Sequence, residues 1–109
     1  MARNRDSVLS EISSERSRQD TLWGDQSGLD YGTLRVGDTA RMEFLQNAAD
    51  RLQERGSITF RDILAEEVAE AFCAENSDEL RKELVQVAAV CVQWIEAIDK
   101  RVDKRTKTE

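Results

Sequence analysis

Apolar residues recur three or four positions apart along much of the chain, the spacing that places them on one face of an α-helix. The clearest run is Met42, Leu45, Ala49 and Leu52. Asp38 can cap the start of this helix, and Gly56 can end it. The pattern therefore predicts a helix from Asp38 to about Arg55.

A first helix is indicated upstream by Val8, Leu9, Ile12, Leu22 and Trp23. It is expected to begin near Asp6 or Ser7, whose short side chains can accept hydrogen bonds from free backbone N–H groups. From Gly24 to Asp38, four glycines interspersed with Asp, Ser and Thr interrupt any periodicity. This stretch is expected to form a long loop.

Two more helices are expected in the second half of the chain. Thr59, with Asp62 three residues on, is typical of a capping box and predicts a third helix that ends near Asn76. Ser77 is expected to open a fourth helix that continues to about Val102. The charged tail from about residue 100 is expected to be frayed.

The fourth helix is apolar around nearly its whole circumference between Leu84 and Ile98. Such a helix needs partners on every side, and three other helices of a 109-residue chain cover it poorly. We therefore expect an all-α fold with one domain over residues 1–109, a four-helix bundle whose core is completed in a homodimer or homotetramer. A compact monomeric bundle is the alternative.

Composition excludes several functions. The net charge of −6 disfavours binding to nucleic acid, which depends on Lys and Arg at backbone phosphates. The chain has no histidine, so histidine-based catalysis and HExxH zinc sites are excluded. Cys73 and Cys91 lack metal-site spacing and are expected to be buried thiols. No apolar stretch resembles a signal peptide or a membrane span, so a cytoplasmic protein without a membrane partner is expected.

The main chemical signal is a pair of acidic motifs on the third and fourth helices. Glu67 and Glu70 share one helix face, as do Glu83 and Gln86. In an antiparallel hairpin that turns between residues 76 and 77, Glu70 lies level with Glu83, and Glu67 with Gln86. Carboxylate and amide oxygens in one groove suit Mg²⁺ or Mn²⁺. The alternative is a solvated acidic face without a ligand.

These motifs resemble those of the MazG-like all-α nucleotide pyrophosphohydrolases, whose signature is EExxE, a spacer, then ExxD. LAEEVAEAF, from Leu64 to Phe72, matches the first part, and KELVQVAAV, from Lys82 to Val90, matches the second except that Gln86 replaces the Asp. The segment ERSRQDTLWGDQ, from Glu15 to Gln26, is similar to the opening of short phage-encoded and actinobacterial members. A phage-encoded member would act in the host cytoplasm.

The resemblance implies Mg²⁺-dependent hydrolysis of nucleoside triphosphates, often deoxynucleotides, to monophosphate and pyrophosphate by a dimer or tetramer. By position, Glu67, Glu70 and Glu83 would be metal ligands, Gln86 would be a weaker fourth ligand, and Glu66 would be the catalytic base. Losing one carboxylate at Gln86 leaves an alternative, a non-catalytic module of the same fold that binds a nucleotide or a protein. A purely structural helical oligomer is a third possibility.

Substrate contacts are expected on the first helix. Trp23 can stack on a nucleobase, and Gln19 and Arg16 lie on the same helix as hydrogen-bond donors. The commoner role of such a tryptophan is packing in a core.

Overall fold

A computed structural model describes the backbone of residues 3–108 and the side chains through Arg105. The described residues form four helices and no strand: α1 (Arg5–Trp23), α2 (Asp38–Glu54), α3 (Phe60–Phe72) and α4 (Ser77–Thr108). The expected all-α fold is confirmed.

Side chains cap two of the helices reciprocally. The Asn4 side chain accepts a hydrogen bond from the Ser7 backbone N–H at 2.9 Å, so α1 begins slightly earlier than expected. The predicted capping box of α3 is confirmed, because the Thr59 hydroxyl accepts from the Asp62 N–H at 3.3 Å while the Asp62 carboxylate accepts from the Thr59 N–H at 3.0 Å. Each box satisfies a backbone donor that the helix leaves free.

The start of α2 differs from the sequence expectation. Gly37, not Asp38, is the capping residue, and Asp38 is the first residue of the helix. The Asp38 carboxylate accepts a hydrogen bond from the Arg35 N–H at 2.8 Å, so it fixes the preceding loop instead of capping α2. Gly56 follows α2 with a φ of 68°, a left-handed conformation that glycine adopts readily, and it ends the helix as expected.

The turn between α3 and α4 is longer than the sequence indicated. α3 ends at Phe72, four residues before the expected end. α4 begins at Ser77 as predicted, and the Asn76 side chain accepts from the Glu79 N–H at 2.8 Å. α4 then continues to Thr108, past the expected end near Val102, and includes most of the charged tail. That stretch contains no glycine or proline that would end a helix.

The chain divides into two compact units, Met1–Asp30 with Val92–Glu109, and Tyr31–Cys91. In the first unit Val8 and Val92 are buried, and Arg3 pairs with the buried Asp99 at 3.0 Å. In the second unit α2 packs against α3, and the buried apolar residues are alanines: Ala49, Ala69, Ala71 and Ala74. Ala49 on α2 and Ala69 and Ala71 on α3 have small side chains, which allow packed helices to approach closely.

Two further expectations concern the burial of the cysteines and the presence of membrane-spanning segments. Cys73 and Cys91 are free thiols that are only partly buried, and not fully buried as expected. Within the described residues, every helix is too short or too polar to cross a bilayer.

Candidate metal centre

Three glutamates from two helices converge in the second unit. One carboxylate oxygen from each of Glu67, Glu70 and Glu83 lies within 4.8 Å of the others, and all three residues are partly buried. We call these three residues the glutamate cluster. The spacing of three places Glu67 and Glu70 on one face of α3, and the antiparallel return of the chain brings Glu83 of α4 to the same level. The juxtaposition predicted from the hairpin is confirmed.

Gln86 lies against two members of the glutamate cluster. We assign its side-chain amide with the nitrogen toward the carboxylates, because the opposite orientation sets the amide oxygen against other acceptors. In this orientation Nε2 donates to Glu83 Oε2 and to Glu67 Oε2, each at 3.2 Å. The level pairing of Gln86 with Glu67 is therefore also confirmed.

A second glutamine, from α2, also contacts the cluster. Gln46 Nε2 donates to Glu70 Oε1 at 3.2 Å in a partly buried hydrogen bond. Sequence reasoning missed this residue, since a single glutamine on a helix is usually solvated and carries no signal. The contact depends on the packing of α2 against α3, which aligns residues 24 positions apart.

Glu66, the predicted base, lies in an acidic environment. Burial raises the pKa of its carboxyl above the ordinary 4.5, and the charges of Glu70 and Glu67 raise the pKa further. A hydrogen bond with the Glu70 side chain and the charge of Asp50 on α2 act in the same direction. A carboxyl group with a raised pKa accepts a proton more readily near neutral pH.

Glu67 is affected in a similar way. Burial raises the pKa of its carboxyl, and the charges of Glu70 and Glu83 add to the shift. The Glu67 carboxylate is therefore incompletely hydrated and is repelled by the two neighbouring charges. A positive charge placed among them would relieve both effects.

The donor set fits a hard divalent cation. Opposite oxygen ligands around Mg²⁺ are about 4.2 Å apart, twice the usual bond length of about 2.1 Å. The cluster oxygens lie within 4.8 Å of one another, which is compatible with that separation. All donors are oxygens, which suits Mg²⁺ or Mn²⁺ better than softer metals.

The predicted substrate residues belong to the first unit. Arg16 Nη1 donates to Gln19 Oε1 at 2.9 Å, and Arg16 also pairs with Asp20 at 2.7 Å. Trp23, the last residue of α1, is 66% exposed. It is therefore not the core tryptophan that is commoner in proteins.

A separate cavity of about 440 Å³ lies beside the turn between α3 and α4. Its lining is mainly apolar and includes Tyr31, Phe72, Leu80 and Leu84. None of the residues predicted from the sequence as metal, catalytic or substrate contacts lines this cavity.

Comparison of the chain with protein-family models, curated proteins and solved structures gave no match. Function therefore has to be inferred from the geometry of the glutamate cluster and its surroundings.

Proposed function

We propose that this chain is a MazG-like nucleoside triphosphate pyrophosphohydrolase that depends on Mg²⁺ or Mn²⁺. The observation that carries the proposal is the convergence of Glu67, Glu70 and Glu83 within 4.8 Å on two antiparallel helices. Carboxylates at this separation repel unless a cation is bound, and a cation held by oxygens is what triphosphate chemistry requires. The sequence motifs around these residues supply the second line of support.

The three glutamates would hold the cation. When bound, the cation neutralises charge on the phosphate oxygens and lowers the pKa of a water molecule beside it. Glu66 would accept the proton of the water that attacks the α-phosphorus, and the bond between that phosphorus and the oxygen bridging to the β-phosphate breaks. Pyrophosphate leaves, and the monophosphate remains. The raised pKa of Glu66 suits this role.

Gln46 would orient Glu70 through its 3.2 Å hydrogen bond. An exposed tryptophan ring suits stacking on a nucleobase, so Trp23 is the candidate for base recognition, with Gln19 and Arg16 as hydrogen-bond donors. Arg16 already pairs with Asp20, and a substrate would have to compete for its guanidinium group.

A non-catalytic binding module is the second candidate. The observation that favours it is the Gln86 amide, which donates to Glu67 and Glu83 and so stabilises the cluster without a cation. A protein that has lost turnover in this way would still bind a nucleotide or a partner protein.

We also propose that the chain forms a homodimer or homotetramer. Leu84, Val85, Ile98 and Val102 of α4 are all at least 44% exposed. Burying such side chains stabilises an assembly by about 25 cal/mol for each Å² of apolar surface removed from water. Sedimentation equilibrium measures the number of chains directly, and a monomer at all concentrations would refute this part of the proposal.

The enzymatic proposal is tested by pyrophosphate release from a panel of ribo- and deoxynucleoside triphosphates with Mg²⁺ or Mn²⁺. We expect release with at least one nucleotide and its loss in Glu70→Gln. Glu43→Gln is the matched control, because it removes the same charge from an exposed position on α2 and should leave the rate unchanged. Nucleotide binding without release from any member of the panel would favour the binding module.

A further inference from the structure

The glutamate cluster already has a hydrogen-bond donor between two of its members. With the amide assigned so that its nitrogen faces the carboxylates, Gln86 Nε2 lies 3.2 Å from Glu67 Oε2 and 3.2 Å from Glu83 Oε2, so one NH₂ group bridges α3 and α4. An NH₂ group has two N–H donors, and each carboxylate takes one of them. Both donors of Gln86 are used.

The bridge and a divalent cation need the same carboxylate oxygens. Hydrogen bonds to an ionised acceptor are about twice as strong as neutral ones, so the bridge stabilises the cluster when no cation is present. A cation bound by Glu67 and Glu83 would bring positive charge against the N–H groups, which must turn away. The amide carries no net charge and therefore relieves only part of the repulsion among the three carboxylates.

We propose that Gln86 is an internal competitor for the divalent cation, because its amide nitrogen bridges Glu67 and Glu83 and has to release them before the cation binds. This inference rests on the proposed function, since it takes the glutamate cluster to be a metal site. A fourth ligand would strengthen cation binding, whereas a competing Gln86 weakens it. Gln86 is a positioning residue that sets the affinity for the cation and holds the empty cluster together.

The competitor and ligand roles predict opposite effects when the amide is removed. Gln86→Ala and Gln86→Leu abolish both the N–H donors and the amide oxygen. If the amide competes, both variants bind Mn²⁺ more tightly than the wild type, by about threefold or more, because no hydrogen bonds to the carboxylates are broken on binding. If the amide mainly serves as an oxygen ligand, both variants bind Mn²⁺ more weakly. Gln86 is exposed, so neither change creates a cavity.

Mn²⁺ affinity is measured by electron paramagnetic resonance of the free ion in a titration without nucleotide. Gln86→Asp should bind Mn²⁺ about tenfold or more tightly than the wild type, because it removes the bridge and adds a carboxylate. Gln93→Asp is the matched control on an exposed position of the same helix and should change the affinity by less than about twofold at physiological salt. Weaker or unchanged Mn²⁺ binding in Gln86→Ala and Gln86→Leu would overturn the proposal.

Thermal unfolding in EDTA gives a readout that needs neither metal nor turnover. Gln86→Ala should melt at a lower temperature than Gln93→Ala, since only the first change leaves two carboxylates without a donor. Equal melting temperatures would show that the bridge does not stabilise the metal-free protein and would count against the proposal. If the wild type releases pyrophosphate but Gln86→Leu binds Mn²⁺ more weakly than the wild type, only the competitor role of Gln86 is refuted. If the Mn²⁺ affinities of the variants follow the predicted order but no nucleotide releases pyrophosphate, only the hydrolase proposal is refuted.

Discussion

Replacing Glu70 by glutamine should change the stability of the protein in opposite directions with and without a divalent cation. Glu70 is the member of the glutamate cluster whose charge raises the pKa of both Glu66 and Glu67. Glutamine keeps the length of the side chain and an oxygen that can still accept the hydrogen bond from Gln46. The substitution therefore removes a charge with little change in packing.

The magnitude follows from the separation of the carboxylates. The cluster oxygens lie within 4.8 Å of one another, and at that distance two unit charges repel by about 0.9 kcal/mol in water and about 3.5 kcal/mol at an effective dielectric constant of 20. The cluster is partly exposed, so the lower figure applies more closely. Glu70→Gln relieves the repulsion with Glu67 and with Glu83, and we expect it to raise the free energy of unfolding in EDTA by about 1–2 kcal/mol. For a domain of this size, 1 kcal/mol corresponds to about 5 °C in melting temperature.

The assay is thermal unfolding at pH 7, in EDTA and in excess Mn²⁺. At a Mn²⁺ concentration 100 times its Kd, the wild type gains about 2.7 kcal/mol, whereas Glu70→Gln should gain far less because it has lost a charged ligand. Glu43→Gln controls for the change in net charge and should respond to Mn²⁺ like the wild type. A Glu70→Gln protein that is less stable than the wild type in EDTA would refute the repulsion on which the metal site depends.

Two further predictions concern pH and helix capping. Burial and like charges raise the pKa of Glu67 in the folded protein, so folding favours the neutral carboxyl group. The contribution of this carboxyl group to the free energy of unfolding is therefore fully present below about pH 4.5 and is lost as pH rises through the raised pKa. Glu67→Gln should therefore melt higher than the wild type in EDTA at pH 7, and the difference should vanish near pH 4; a constant difference from pH 4 to 7 would contradict it. Thr59→Ala removes the side-chain cap of α3 and should lower the free energy of unfolding by about 1 kcal/mol in urea titrations, with Ser57→Ala, outside the cap, unchanged within error.

The position of the glutamate cluster could be predicted from the sequence because it depends mostly on local geometry. Spacings of three on each helix fix which glutamates share a face, and the turn region fixes their level. The predicted position of the cluster was correct even though α3 ends at Phe72 and not near Asn76 as expected. Moving the end of a helix changes the length of the turn without altering which side chains face each other further along.

The orientation and partners of the cluster depended on contacts that no local pattern encodes. Gln46 reaches Glu70 only because α2 packs against α3, and the Gln86 amide turns its nitrogen inward only because two carboxylates lie opposite it. Asp38 was expected to cap α2, but Gly37 takes that place and the Asp38 carboxylate accepts a hydrogen bond from the loop. Side chains rotate at little energetic cost, so the hydrogen-bond partners of a polar side chain are the groups that the folded chain places near it.

The sequence by itself determined the all-α fold, the start of α4 and the acidic faces of α3 and α4, because helix periodicity, caps and residue spacing act over a few neighbouring residues. The tertiary structure alone decided that two glutamines from separate helices contact the glutamate cluster, and that burial together with neighbouring negative charges raises the pKa of Glu66 and Glu67. Electrostatic energies depend on distance and burial in space, and neither can be read from positions along a chain.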